Sequence, residues 1–261
     1  MKNYKLSDET KMLPWGTLLH RVVATTTFTL ACGLTVTEGD VGGWIEKESN
    51  LSDNGWVSDN AQIYGNAQVS GNAWVSDNAK ISGYAKVYGN ARVYNNATIS
   101  GGTCVYNNAQ VSGNAWVYGD IQVYDNALVS DYAQVYGNAK IYRNAQVFGD
   151  AQVYDNAKVC GNAQVYNNAW IYGNAKVSGH AQVYRNAQVY GYALVCGNAR
   201  IAGYTLVCGY ARVYGDAQVS GNALVYDYAR VYDEAQVYGS AQVCGNAQVS
   251  GNARVGDDAN G

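Results

Sequence analysis

The chain has little proline, histidine and charge for its length. Its 261 residues include one proline, Pro14, two histidines and 14% charged residues, with a net charge of −3. That balance gives no broad positive field to attract nucleic acid or an anionic membrane surface. No run of about 18 apolar residues is present to span a bilayer, and the N-terminus lacks the apolar core of a signal peptide. We therefore expect a cytoplasmic protein with no nucleic-acid or membrane partner.

The six cysteines do not have the spacing of a disulfide framework. They are widely scattered, and none belongs to a CxxC pair. Scatter of this kind fits free thiols in a reducing compartment better than cross-links.

A six-residue repeat fills most of the chain, as in "YGNAQVSGNAWVSDNAK", Tyr64 to Lys80. Steps of six from Ile45 to Val255 meet Val, Ile or Leu at every stop, which makes 36 hexads without an insertion. Relative to this aliphatic residue i, position i−2 is usually Ala, and positions i+2 and i+3 are usually Gly-Asn or Asp-Asn. The departures from Ala in the body are Thr103, Ile121 and Thr205.

The strand period of two assigns a side to each position of the hexad. Residues i−2 and i face a core, whereas i−1 and i+1 face water. Gly and Asn at i+2 and i+3 suit a sharp corner because they tolerate positive φ. A helix is excluded, since apolar residues do not recur at i, i+3 and i+4. Ile121 occupies a small-residue position, and we expect a small bulge or a shifted neighbour there.

The pattern resembles the hexapeptide repeat of left-handed β-helix proteins, in which three hexads close one triangular coil. The resemblance implies an all-β fold, a single-stranded left-handed parallel β-helix of about twelve 18-residue coils. The left hand comes from the resemblance alone, because crossover connections in general favour the right hand. Polymer-forming β-helical proteins have a similar build.

The first residues lack the six-residue register. We expect residues 1–43 to form a short strand-rich cap over the first coil and residues 44–261 to form the β-helix, since a solenoid needs its terminal repeat covered. A strand-rich lead, then GGW, then NLS, then hexads is similar to bacterial YdcK-like proteins that are named as transferases.

A stride of 18 predicts which outward side chains lie above one another. One face stacks basic residues at i−1, and a different face stacks tyrosines at i+1. Ladders of stacked side chains stabilise a β-solenoid by themselves, but both sets are also candidate interaction faces. The candidates are Lys140, Lys158, Lys176, Arg212 and Arg230, and Tyr136, Tyr154, Tyr172 and Tyr190.

Enzymes with hexapeptide repeats suggest one catalytic candidate. Many are acyltransferases that use acetyl-CoA at a subunit interface, with a histidine as general base. His180 lies at a corner, in "VSGHAQV", but no loop interrupts the register near it and no acidic residue is within a few positions. A corner residue that replaces Asn is the alternative role. His20 lies in a strand-like run, which favours a structural role.

The sequence gives little support for a metal or cofactor site. The related γ-class carbonic anhydrases hold zinc with three histidines, and this chain has two. Asp59 and Asp77 stack at the stride of 18 and are a weak candidate for holding a cation, although surface carboxylates at turns are common. We expect no cofactor and no metal.

Three functions remain open. The regular backbone favours a non-catalytic rigid β-helical rod, a structural, scaffolding or interaction module, because few irregular segments exist on which to build a site. An acyltransferase is the alternative, and an ice- or polymer-binding flat face is another. The last coil ends at Val255 without an evident cap, so we expect either self-association through that end or blunting by Asp257 and Asp258.

Overall fold

The computed structural model describes residues 2–256. The chain divides into two compact units, Met1–Asp131 and Tyr132–Gly261. Both contain parallel β-solenoid, which confirms the all-β class and gives about twelve turns in all. The hand of the coil stays a prediction. Asp257 and Asp258, which we expected at the last edge, lie outside the described residues.

Unit 1 begins with antiparallel strands. Strand β1 (Tyr4–Met12) pairs with β2 (Leu18–Ala24), and β2 pairs with β5 (Val41–Ile45). Between β2 and β5, strands β3 (Phe28–Thr29) and β4 (Thr35–Val36) form a hairpin. A short 3₁₀ helix, Glu48–Asn50, follows β5.

Strand β5 joins this lead to the solenoid. It is antiparallel to β2 but parallel to β7, where Ile45 is paired with Ile63. The division that we expected between residues 43 and 44 therefore falls inside β5. Tyr4 fixes β1 to the first coil, because its hydroxyl donates to the carbonyl oxygens of Glu48 and Leu51, both at 2.6 Å.

The solenoid of unit 1 consists of short strands in three parallel stacks, ordered β5-β7-β10-β13-β16, β8-β11-β14-β17 and β6-β9-β12-β15-β18. The strands are β6 (Trp56–Val57), β7 (Gln62–Ile63), β8 (Gln68–Val69), β9 (Trp74–Val75), β10 (Lys80–Ile81), β11 (Lys86–Val87), β12 (Arg92–Val93), β13 (Thr98–Gly101), β14 (Cys104–Val105), β15 (Gln110–Val111), β16 (Trp116–Gly119), β17 (Gln122–Val123) and β18 (Leu128–Val129).

Unit 2 repeats the plan with three stacks of seven strands each. Its strands are β19 (Gln134–Gly137), β20 (Lys140–Ile141), β21 (Gln146–Val147), β22 (Gln152–Val153), β23 (Lys158–Val159), β24 (Gln164–Val165), β25 (Trp170–Ile171), β26 (Lys176–Val177), β27 (Gln182–Val183), β28 (Gln188–Val189), β29 (Leu194–Val195), β30 (Arg200–Ile201), β31 (Leu206–Val207), β32 (Arg212–Val213), β33 (Gln218–Val219), β34 (Leu224–Val225), β35 (Arg230–Val231), β36 (Gln236–Val237), β37 (Gln242–Val243), β38 (Gln248–Val249) and β39 (Arg254–Val255).

The core has the composition that the repeat predicts. Aliphatic residues at i and alanines at i−2 are buried along both solenoids, for example Val159 and Ala157, each 0% exposed. Partners in adjacent strands lie 18 residues apart, as with Val159 and Val177. Three hexads therefore make one coil, and the strand period puts i−1 and i+1 on the outside.

The corners use positive φ at a single position. Every sixth residue from Asp53 to Gly251 has φ above zero, and this position is i+2. The residue at i+3, usually Asn, keeps negative φ. Gly is favoured at i+2 because it has no Cβ to crowd the next coil: a Cβ on Gly173 would come within 3.0 Å of the backbone N of Gly191.

The residues that replace alanine are accommodated without a break in register. Ile121 is 0% exposed, and the pairing of Val105 with Val123 is kept. The adjustment occurs at the preceding corner, where Gly119 has φ 104°, wider than other corner glycines. Thr103 remains compatible with burial because its hydroxyl donates to the carbonyl of Ser100 at 2.8 Å. The expected bulge is thus replaced by an opened corner.

In residues 2–256, no helix is long and apolar enough to cross a membrane. All six cysteines are free.

Candidate functional site

The basic column is a row of outward side chains at position i−1 on one face of unit 2. Lys140 is paired with Lys158, and Lys158 with Lys176, which confirms their predicted alignment. The row continues through Leu194, Arg212 and Arg230.

The cations of this column are unpaired within residues 2–256. None of the five has an ion-pair or hydrogen-bond partner among the described residues. Lys158, Lys176, Arg212 and Arg230 are exposed, and Lys140 is half-buried. Adjacent strands are about 4.8 Å apart, so like charges repeat at that interval. At that distance in water, two unit charges repel by about 1 kcal/mol, which favours an anionic partner.

Leu194 interrupts the charges, and Cys196 lies beside it on the same strand–corner segment. Partial burial raises the pKa of the Cys196 thiol, while the nearby Lys176 and Arg212 act in the opposite direction. The pKa of Cys196 therefore depends on the basic residues on both sides of Leu194.

The tyrosine column, Tyr136, Tyr154, Tyr172 and Tyr190, lies on a different face of unit 2. Its successive ring centroids are 4.7, 4.9 and 4.7 Å apart, and the rings are nearly parallel. The Tyr172 hydroxyl also donates to Gln188 Oε1 at 3.3 Å. Because each ring covers its neighbour, the column presents ring edges rather than open ring faces to a ligand.

Stacking also changes the titration of these rings. Burial, followed by the neighbouring Tyr136 and Tyr172 and by Asp155, raises the pKa of Tyr154 to about 12. The pKa of Tyr190 is also raised to about 12, first by its hydrogen bond to Cys208 and then by burial. Both phenols therefore stay neutral at physiological pH.

His180 lies at a corner in a row of amides. Its Nε2 is 3.4 Å from Asn162 Nδ2, in the place where neighbouring coils have Asn. The shallow groove around it has a volume of about 300 Å³. It is lined by Asn144, Gln146, Asn162, Gln164, His180 and Gln182. This lining supplies no carboxylate to orient the imidazole as a general base.

His20 lies in β2, opposite Ile45 of β5. The pair belongs to the antiparallel lead of unit 1, whereas His180 belongs to unit 2.

Asp59 and Asp77 accept hydrogen bonds from the backbone. Asp59 Oδ2 accepts from the N–H of Asp77 at 3.2 Å, and Asp77 Oδ2 accepts from the N–H of Asn95 at 2.7 Å. These bonds occupy carboxylate oxygens that a cation would need. Among residues 2–256, no group of three or more His, Cys, Asp or Glu side chains is placed to hold a metal.

One feature of the site region was missed from the sequence. The β3–β4 hairpin lies against an outer face of unit 1, where Ala31 and Cys32 line a cavity together with solenoid side chains. The signal in the sequence was weak, since "TTTFTLACGLTVT" predicts strands without saying where they pack.

The fold and its repeat define a β-solenoid repeat protein. The family model for the YdcK beta solenoid repeat matches residues 61–77, 85–101, 91–107, 133–149, 217–233 and 241–259. The chain is a β-helical repeat protein similar to YdcK-like proteins. No curated protein matches it.

Proposed function

We propose that this protein is a non-catalytic structural and interaction module of the cytoplasm, and that its basic column binds an acidic polymer. The observation that carries the proposal is the row of five cations without ion-pair partners among the described residues. A chain of closely spaced carboxylates relieves their mutual repulsion and releases counterions, as polyelectrolyte binding does. The six free cysteines support a reducing compartment.

The rest of the solenoid supports the same function. Stacked amides hydrogen-bond to one another from coil to coil, as Asn144 and Asn162 do at 2.8 Å. Stacked rings pack against one another in the same way, as Tyr136 and Tyr154 do. Such side chains stabilise the fold and leave few groups to act on a substrate. The five cations of the basic column, in contrast, have no such partner among the described residues.

The test is binding of fluorescent poly-glutamate, followed by anisotropy. We expect Lys140→Gln/Lys158→Gln/Lys176→Gln to weaken binding at least about tenfold, since each lost contact to an ionised partner removes up to about 1 kcal/mol. The control, Lys5→Gln/Lys80→Gln/Arg200→Gln, makes the same change in net charge outside the column. Equal losses in both variants, or no binding by the native chain, would overturn the proposal.

The acyltransferase alternative has its own discriminating measurement. The amide surroundings of His180 favour a structural corner residue, so we expect no heat of binding when acetyl-CoA is titrated into the protein. Micromolar binding that is lost in His180→Ala would replace our proposal with the enzymatic one.

Self-association is part of the proposal for the last described coil. Among residues 2–256, strands β37, β38 and β39 each have a ladder neighbour on one side only, and an unpaired strand edge is a template for another chain. We expect light scattering to show a mass above that of one chain, and a folded domain fused after Gly261 to reduce it to one chain. A native monomer at high concentration would contradict this.

A further inference from the structure

The β3–β4 hairpin is held firmly against unit 1. Gly33 donates its N–H to the carbonyl of Leu30 at 2.9 Å, which closes the hairpin tip. Leu30 is buried at 2% exposure. Phe28 meets Trp56 of the first coil edge-on, with 5.9 Å between ring centroids. The hairpin is therefore packed against the solenoid of unit 1.

A polar cavity of about 250 Å³ lies between the hairpin tip and the solenoid. It is large enough for a small metabolite, although smaller than most drug-sized sites. Its lining combines a thiol, a guanidinium and a row of amides. These side chains are Cys32, Arg92, Gln110, Asn90, Asn108 and Asn126.

Arg92 is the cation in the lining of this cavity. It is half-buried, and it has no ion-pair or hydrogen-bond partner among the described residues. The guanidinium is therefore available to an anion that enters the cavity. Its planar fork of donors matches a carboxylate or phosphate in two parallel hydrogen bonds.

The amides add donors at the same place. Asn90 Nδ2 donates to Asn108 Oδ1 at 3.0 Å, and Asn108 Nδ2 donates to Asn126 Oδ1 at 3.2 Å. An amide nitrogen has two hydrogens, so Asn90 and Asn108 each keep one N–H for a ligand. The Gln110 carbonyl accepts from Tyr94 at 3.3 Å, which leaves the Gln110 amino group as a further donor.

We propose that this cavity binds a small organic anion, whose carboxylate or phosphate group lies on Arg92 and whose remaining polar atoms accept hydrogen bonds from the Asn90 and Asn108 amides. The binding is independent of the basic column, which belongs to unit 2.

Arg200 provides a matched control within the chain. It occupies the same i−1 position of a two-residue strand as Arg92. Arg200 is exposed, whereas Arg92 is half-buried beside the hairpin. If surface charge alone affects binding, substitution of either arginine will weaken it equally. If the cavity is the site, only substitution of Arg92 will weaken binding.

The first experiment is a calorimetric titration with four probes: citrate, glucose 6-phosphate, inorganic phosphate and glucose. We expect binding by at least one organic anion and none by glucose. Arg92→Gln should lose that binding, Arg92→Lys should weaken it about tenfold because the bidentate contact is lost, and Arg200→Gln should leave it within about twofold. Citrate binding alone identifies a carboxylate ligand, and glucose 6-phosphate binding alone a phosphate ester.

The second readout is the rate at which iodoacetamide alkylates Cys32, measured by mass spectrometry of its peptide. A bound anion should slow this reaction at least about threefold in the native chain and not in Arg92→Gln. Absence of millimolar or tighter binding by every probe overturns the proposal. An equal loss in Arg200→Gln, or an unchanged Cys32 rate when the anion is bound, overturns it too.

Discussion

The carboxylate of Asp155 accepts a hydrogen bond from the backbone N–H of Gly173 at 3.1 Å, one coil further along the chain. Asp155 itself has φ 57°, which strains a residue with a Cβ. The hydrogen bond offsets that strain by satisfying an N–H that the corner leaves outside the strand ladder. The same bond recurs at other aspartate corners, namely Asp53 with Gly71, Asp227 with Gly245 and Asp233 with Gly251.

Removal of this acceptor should destabilise unit 2. We expect Asp155→Ala to lower the free energy of unfolding by about 1–2 kcal/mol, because the strain remains and the hydrogen bond is lost. Asp155→Asn keeps an acceptor oxygen and should change it by less than about 0.5 kcal/mol. Urea unfolding followed by circular dichroism measures both. An Asp155→Ala variant as stable as the native chain would contradict this role.

Arg185 offers the opposite experiment. It has φ 62° at a corner, and its side chain has no acceptor oxygen for the N–H of Gly203 in the next coil. We expect Arg185→Asn to stabilise the protein by about 1 kcal/mol, because Asn tolerates positive φ and can accept that hydrogen bond. Arg185→Ala keeps the strain, so its unfolding midpoint in urea should stay near that of the native chain. Equal midpoints for Asn and Ala would show that the corner bond contributes nothing.

Tyrosines of the column should ionise at a higher pH than free tyrosine, and the folded protein should lose stability in alkali. Because burial and the neighbouring rings raise the pKa of Tyr154 to about 12, the folded chain retains a proton that the unfolded chain releases near pH 10. The contribution of Tyr154 to stability is therefore complete below pH 10 and is lost between pH 10 and 12.

Absorbance at 295 nm and thermal melts across this range report the effect. Tyr172→Ser removes one stacked neighbour at a position where other hexads have Ser, so it should bring tyrosinate formation closer to pH 10. If the native chain ionised all its tyrosines near pH 10, the predicted rise in the pKa of the stacked tyrosines would be wrong.

Cys196 reports the electrostatics of the basic column. Burial raises its pKa while Lys176 and Arg212 lower it, so Lys176→Gln/Arg212→Gln should raise the pKa further. Less thiolate then forms at pH 8, and alkylation of Cys196 by iodoacetamide should slow by about twofold or more. Arg200→Gln serves as the control and should leave the rate unchanged. Faster alkylation in the double variant would contradict the claim that Lys176 and Arg212 lower the pKa of Cys196.

The coil and its faces were predictable because one period of six residues repeats without interruption. Val at i and Ala at i−2 can be buried together only if each hexad is a strand and a corner, and a stride of 18 then aligns Lys140, Lys158 and Lys176. The hydrogen-bonding role of Asp155 was not predictable in the same way. It depends on the coil-to-coil distance at the corner, which the residue types do not encode.

Two other features could not be predicted from the sequence, for different physical reasons. The widened φ of Gly119 is a local response to Ile121, and either a bulge or an opened corner would relieve the same crowding. The cavity beside Arg92 forms because the β3–β4 hairpin packs on a particular face. Nothing in the sequence of the hexads near Arg92 distinguishes that face from the other two.

The salt dependence of poly-glutamate binding tests the proposed role of the basic column most directly. If the column binds the polymer, the logarithm of the binding constant should fall linearly with the logarithm of salt concentration, because bound counterions are released. In Lys140→Gln/Lys158→Gln/Lys176→Gln the magnitude of that slope should decrease by about 2–3, one unit for each lost contact. The control Lys5→Gln/Lys80→Gln/Arg200→Gln should keep the native slope. A slope that is the same in the native chain and the column variant would contradict the assignment of acidic-polymer binding to this face.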